Sequence, residues 1–256
     1  MIYLTGDTHA DFKRFSSARF PDQKEMTKDD MVIILGDFGG VWNYTGESSQ
    51  ERWWLDWLND KHFTTCFVDG NHENYTRLYS NEYPIIDFHG GKVHQLRDSI
   101  YHLMRGHIFD FEDKQFFVMG GAKSHDIQDG IFDMYKYKSA KLAIRALNRW
   151  QKQGKQFRVK DFSWWESEIP HEQELSFGRQ KLDSVHYEVD YVLSHCLPTS
   201  VAAVGGWRES DPLTTYFDHL LQDGLKFYRW YCGHYHVERR IMGKFIIKYE
   251  DIERIL

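Results

Sequence analysis

Cysteine is scarce: the 256 residues hold three, Cys66, Cys196 and Cys232. All sit inside apolar, strand-like runs and form no pair spacing. That argues against a disulfide-stapled scaffold or a cysteine-built metal knot and leaves buried, reduced thiols. Long apolar runs are missing too, since every strand-like stretch is interrupted within a few residues. A membrane span needs about 20 such residues, so none is expected. No basic segment followed by an apolar one opens the chain, so no secretory signal is expected, and a cytoplasmic location fits. Positive charge is not in surplus either: 32 Lys and Arg stand against 38 Asp and Glu, a formal net charge of −6. This argues against a broad nucleic-acid or anionic-membrane footprint. A local positive site is still allowed, because bound cations are not in that count.

Repeats, low-complexity tracts and dividing linkers are absent as well, so a single domain over residues 1–256 is expected. Aromatic residues are abundant, with nine Trp, fifteen Tyr and eighteen Phe. Such a chain can bury a sizeable core, which excludes disorder. Short apolar runs recur at Ile2–Leu4, Met31–Leu35, Thr65–Val68, Val189–Leu193 and Phe227–Cys232 and read as buried strands. Small and polar residues follow each one at once, so polar groups gather at strand ends, where sheet-based folds carry function. Ser48 to Asn59 predicts a helix opened by a Ser48–Glu51 capping box, with Trp54, Leu55 and Leu58 at helical spacing and Trp53 and Trp57 widening the packed face. Residues 107–121 predict a hairpin turning at Glu112-Asp113, and the tail predicts another around Gly243. Residues 130–160 are rich in Lys and Arg and helically patterned, and break at Gly154. This stretch predicts a helical insertion or cap on the scaffold. Its basic residues, Arg145, Arg149 and Arg158 among them, read either as a solvated helix face or as a way to recruit an anionic substrate.

The chemistry-bearing residues come in five groups. Gly6-Asp7-Thr8-His9 follows the first strand, and residues two apart on extended chain point the same way, so Asp7 and His9 can grip one ion. Gly36-Asp37-Phe38-Gly39-Gly40 places a carboxylate at a strand end between glycines, where it can bridge two cations or simply cap a turn. Gly70-Asn71-His72-Glu73 offers an amide oxygen. Ser194-His195-Cys196 offers one imidazole, and Gly233-His234-Tyr235-His236 offers two at a spacing of two. Each group alone has a structural alternative; the order and placement of all five do not arise readily by chance.

In that order the five groups resemble the calcineurin-like metallophosphoesterase superfamily over Tyr3 to His236. Residues 36–42, 69–74, 102–106 and 120–130 look closer still to uncharacterised metallophosphoesterases of bacteria and phages. The resemblance implies an α/β fold, an αββα sandwich of two facing mixed sheets flanked by helices, with the site at the strand ends. It implies two divalent metal ions, Mn²⁺ or Fe in first place, with Zn²⁺, Ni²⁺ or Co²⁺ also suited to mixed N and O ligands. Asp7, His9, Asp37 and His236 would hold one ion, and Asp37, Asn71, His195 and His234 the other, with Asp37 as the bridge. His72 would face substrate as general acid or as donor to a phosphate oxygen. The implied reaction is hydrolysis of a phosphate mono- or diester by a hydroxide held between the ions. Two divalent ions bring roughly four positive charges, and two carboxylates and the hydroxide remove about three, leaving a site that attracts a phosphate anion. The implied partner is a phosphate-ester substrate, with nucleic acid only as a possible substrate and no membrane.

The chain also departs from the pattern. Glu73 matches the Ser/Thr protein phosphatases, yet those carry a phosphate-clamping arginine shortly after the Gly-Asp motif. Here Gly36-Asp37-Phe38-Gly39-Gly40-Val41-Trp42 has none. A phosphoprotein phosphatase is therefore the second reading, and an inactive scaffold on the same fold a third. Gly120-Gly121-Ala122-Lys123-Ser124-His125-Asp126 is expected either beside the site or as a loop start capped by Ser124 and Asp126.

Overall fold

The computed structural model describes residues 1–208 and 210–256. In the first half, the strands run β1 (Ile2–Thr5), β2 (Met31–Leu35), β3 (Thr64–Val68), β4 (Ile85–Phe88), β5 (Gly91–Arg97) and β6 (Ile100–Leu103), with helices α1 (Ser49–Asn59) and α2 (Tyr75–Leu78). The second half adds β7 (Ile108–Phe111), β8 (Lys114–Met119), β9 (Ile131–Phe132), α3 (Ala140–Lys152) and β10 (Arg158–Val159). It continues with α4 (Glu172–Ser184), β11 (Tyr191–Ser194), α5 (Thr199–Gly205), α6 (Pro212–Gln222) and β12 (Arg229–Cys232), and ends on β13 (Arg239–Ile241), β14 (Phe245–Ile247) and β15 (Glu253–Arg254). One sheet has the order β15-β1-β2-β3-β6-β5-β4 and the other β13-β14-β12-β11-β8-β7. In each the middle strands are parallel and the edges antiparallel: β1, β2, β3 and β6 run together, as do β8, β11, β12 and β14.

Strand composition follows from burial on both faces, which makes the central strands continuously apolar rather than alternating. Along β2, Ile33 and Leu35 join Leu193, Tyr231 and Val118 in the layer between the sheets. Their neighbours Val32 and Ile34 face outward onto Leu55 and Leu58 of α1. On the far side, Val192, Trp230 and Cys232 pack under α4, α5 and α6 through Leu182, Val201 and Phe217. The result is the expected αββα sandwich. The three cysteines are buried and, among the described residues, form no disulfide. Among the described residues, no helix is long and apolar enough to cross a membrane.

The local expectations meet mixed outcomes. The capping box is formed, with Ser48 Oγ accepting from Glu51 N at 3.2 Å and Glu51 Oε2 accepting from Ser48 N at 2.7 Å. Both turn residues of the β7–β8 hairpin have positive φ, Glu112 at 51° and Asp113 at 58°. Tight two-residue hairpins require that twist. Trp53 departs from expectation. It is 57% exposed, because α1 turns Leu55 and Leu58 inward with Trp54 and Trp57 at the margin. Residues 130–160 do contain a helix, α3, and its chain reversal falls at Gly154, with φ of 66°. Two short strands frame that helix, however: β9 and β10 pair in parallel as a ribbon separate from both large sheets. Leu142 and Ile144 are exposed, and Ala143 is the buried residue of α3.

Glu51 does more than cap. Its Oε1 also accepts from Trp42 N and Asn43 N, both at 2.6 Å, and its carboxylate meets Arg77 at 3.1 Å. Ser48→Ala is expected to cost about 1 kcal/mol, the ordinary loss of a cap. Glu51→Ala should cost roughly 3 kcal/mol or more, since it strands buried donors and a buried cation. Urea unfolding of the two variants checks the ranking; equal losses would show that Glu51 acts as a cap alone.

Candidate metal centre

The site is built on the carboxyl ends of parallel strands. β1 delivers Asp7 and His9, β2 delivers Asp37, and β3 delivers Asn71 and His72, while β11 and β12 of the other sheet deliver His195, His234 and His236. The chain must turn sharply after each strand to aim these groups back over the sheet. His9, Asp37, His234 and His236 accordingly adopt left-handed backbones, at φ of 44°, 48°, 70° and 51°. Such conformations cost about 1–3 kcal/mol each for non-glycine residues and persist only where surrounding structure enforces them. The glycines supply room. A β-carbon on Gly70 would lie 2.2 Å from Asp37 Oδ1, and one on Gly233 would lie 2.2 Å from Asp7 Oδ1.

Asp7, His9, Asp37 and His236 each offer one ligand atom within 4.8 Å of the others. His236 Nε2 is 2.9 Å from Asp7 Oδ2, and His9 Nε2 is 3.7 Å from Asp37 Oδ2 and 3.1 Å from His236 Nε2. These are the four residues that the family resemblance assigned to one ion. Beside them His195 Nε2 lies 3.3 Å from Asp37 Oδ1, while its Nδ1 is 2.7 Å from the carbonyl of Leu35. His234 packs against the His195 ring at 4.9 Å between centroids. Asn71 is buried on the same side. Among the described residues, two of the candidate ligand atoms, Asn71 Oδ1 and His195 Nε2, are buried without a hydrogen-bond partner; the 3.3 Å approach of His195 to Asp37 lacks the geometry of one. Buried polar atoms are almost always satisfied, so two orphaned atoms of ligand type fit a place for a cation. Neutral imidazoles, one amide and two carboxylates are a donor set suited to divalent transition metals.

The calcineurin-like phosphoesterase family model matches residues 1–238. The chain belongs to that family. No curated protein matches it. Calcineurin-like phosphoesterases are metal-dependent hydrolases of phosphate esters, and the Asp7–His9–Asp37–His236 group of this member could hold such a metal.

The backbone ties the ligands to one another. Asp7 accepts from His234 N at 2.9 Å, and Asp37 accepts from His72 N at 2.8 Å through Oδ1. The Asp37 carbonyl accepts from Thr8 N and His9 N at 3.1 and 2.8 Å. Burial alone would raise the Asp37 carboxyl, but His195 and the other imidazoles hold it well below the usual range. Conversely, burial would lower His195, and the carboxylates of Asp37 and Asp7 reverse this and lift it to about 9. Burial pushes His72 down to about 4, opposed by Asp37 and aided by Arg158. Burial and Asp37 raise Glu73 well above its usual value, and this family-motif carboxyl accepts from Phe38 N at 2.7 Å.

Several residues around the centre carried no distinguishing signal in the sequence. Arg14 braces the loop after β1 through the Asp7 carbonyl at 2.7 Å, and Tyr249 stacks on His236 at 4.8 Å. Beneath Asn71, Asp69 is buried between Arg105 and His102. His125 stacks on His234 at 4.4 Å between ring centroids. Ser124 donates its hydroxyl to the buried Glu168 at 2.7 Å, and Asp126 pairs with Arg158. Arg158 itself is not on a solvated helix face. It lies on β10, 6% exposed, against His72.

His195 gains protons on folding of the metal-free chain, so its contribution is full below pH 6.5 and fades as pH rises towards about 9. At 1.36 kcal/mol per unit this is on the order of 3 kcal/mol. Urea unfolding in chelator is therefore expected to weaken from pH 6.5 to 9 in wild type and to stay nearly level in His195→Asn. Equal slopes for the two proteins would refute the coupling of His195 to Asp37.

Proposed function

We propose that this chain hydrolyses phosphate esters with two divalent cations, one held by Asp7, His9, Asp37 and His236 and the other by Asp37, Asn71, His195 and His234. The observation that supports the second site is the pair of buried, orphaned ligand atoms, Asn71 Oδ1 and His195 Nε2, the latter 3.3 Å from the carboxylate of Asp37. Bound there, the cations would supply Lewis-acid stabilisation of phosphoryl charge and lower the pKa of a water nucleophile towards 7.

The protein's own groups supply position and charge. Asp7 and Asp37 are buried carboxylates kept ionised by their imidazole neighbours, so the site presents negative charge to cations over the working pH range. His9 and His236 stand at the exposed rim, where an ester can enter. A cavity of about 360 Å³ opens there, with His9, His72, Trp42, Trp54, Asn43 and Gln50 among its lining residues. That is room for the organic part of a small ester. Residues 130–160 act as a cap on this side. Arg158 reaches His72 from it, and the chain just beyond closes over the same loop: Phe162 meets Tyr44 at 5.1 Å and Trp165 meets Trp42 at 5.7 Å. His72, held between that cap and the metal ligands, faces substrate as a donor.

Metal content is the direct test. The saturated protein should hold two ions per chain by elemental analysis, and Asp37→Asn should weaken both together. A single ion at saturation, or loss confined to one, refutes the shared-carboxylate arrangement. On esters such as bis(p-nitrophenyl) phosphate and the corresponding monoester, His72→Ala should retain metal and lower turnover by about 10²-fold or more. Loss of metal in that variant would make His72 a ligand instead.

A further inference from the structure

The loop after Asp37 has no arginine, yet a guanidinium reaches the site from elsewhere in the chain. Arg158 on β10 is 6% exposed, and four of its contacts are within hydrogen-bond reach. Its Nε lies 2.6 Å from Asp126 Oδ1. Nη1 donates to the carbonyls of Asn71 at 3.1 Å and Ser163 at 3.3 Å, and Nη2 is 2.7 Å from His72 Nε2. Guanidinium has five N–H donors and no acceptor. His72 Nε2 must therefore offer its lone pair to Arg158, and the ring proton sits on Nδ1. The ring is fixed from two further sides: Trp42 lies over it at 5.9 Å and 29°, and His9 meets it edge-on at 4.8 Å and 88°.

One peptide unit explains why this matters for the metals. The amide joining Asn71 to His72 is pinned at both of its polar groups, the carbonyl by Arg158 and the N–H by Asp37 Oδ1 at 2.8 Å. That amide sets the direction of the Asn71 side chain on one side and of the His72 ring on the other. We infer that Arg158 is a positioning residue. From the 130–160 segment it fixes the Asn71–His72 peptide and selects the Nδ1–H form of His72, so that Nδ1 is the nitrogen left to donate to the ester. A phosphate clamp would keep N–H groups free for substrate, whereas Arg158 spends at least four on the protein. The exposed Asp126, 59% accessible, orients the fork through Nε.

What the ring does in turnover rests on the phosphoesterase reading, but its tautomer can be read without turnover. The experiment is a long-range ¹H–¹⁵N correlation spectrum of ¹⁵N-labelled, zinc-loaded full-length protein, together with kinetics and metal content of Arg158→Lys, Arg158→Met and Asp126→Asn. In wild type, His72 should show a protonated Nδ1 and a bare Nε2; a proton on Nε2 overturns the inference whether or not any variant folds. Arg158→Lys keeps the charge without the fork. Both it and Arg158→Met should lower kcat by about 10- to 100-fold with KM little changed and the tautomer signature lost. Asp126→Asn should move kcat in the same direction by less, and it leaves the buried position intact. A rise in KM alone would make Arg158 a substrate clamp, and unchanged kcat in a folded variant would make it structural; either result overturns the inference. If wild type turns over no phosphate ester, the phosphoesterase reading fails while the spectrum still decides the nitrogen assignment.

Discussion

Everything at this site refers to one carboxylate. Asp37 sits in a left-handed backbone turn at the end of β2 and lies within 3.3 Å of His195 from the opposite sheet. It takes the His72 amide on its side chain and the Thr8 and His9 amides on its carbonyl. Three consecutive parallel strands and one strand of the second sheet are thus registered against a single residue. An unpaired carboxylate at full burial is prohibitively costly, so the protein surrounds it with imidazoles and donors, a setting that could hold a cation. Gly70 belongs to the same constraint, because any side chain there would occupy the space of the Asp37 carboxylate.

The sheets and the clustering of Asp7, His9, Asp37 and His236 were legible in the sequence for different physical reasons. Central parallel strands are buried on both faces, so runs such as Met31–Leu35 stand out as unbroken apolar segments, and the polar groups following them mark the strand ends. The capping box at Ser48 and the Glu112-Asp113 turn are local chemistry, decided within four residues. Arg158, Asp69 and Glu73 are another matter. Their importance comes from burial beside partners far along the chain, and a charge count cannot tell a solvated arginine from one enclosed by Asp126, Asn71 and His72. The exposure of Trp53 was hidden for a similar reason: helical spacing fixes which residues share a face, but the width of the covered stripe depends on what packs against it.

The 130–160 segment shows how a common scaffold acquires individual character. Its helix α3 has Ala143 as its buried residue, and its own small core comes from Trp150 against Phe132 and Phe157. The β9–β10 ribbon stitches it shut and carries Arg158 inward, while the aromatic contacts of Phe162 and Trp165 seat the following chain over the Trp42 loop. The sandwich thus sets the strand ends, while Arg158 of this segment reaches the Asn71–His72 loop from outside both large sheets.

The hydrogen bond from the His234 amide to Asp7 joins residues 227 positions apart. Closing a loop of that length is entropically costly, and the two sheets contribute their ligands from opposite ends of the chain. During synthesis, the first three ligand-bearing strands therefore emerge long before β12 can join them. Until it does, Asp7 and Asp37 are two carboxylates without most of their imidazole partners. With the proposed cations bound there, high-affinity metal uptake would be a late event in the life of the chain, a signal that both sheets have met.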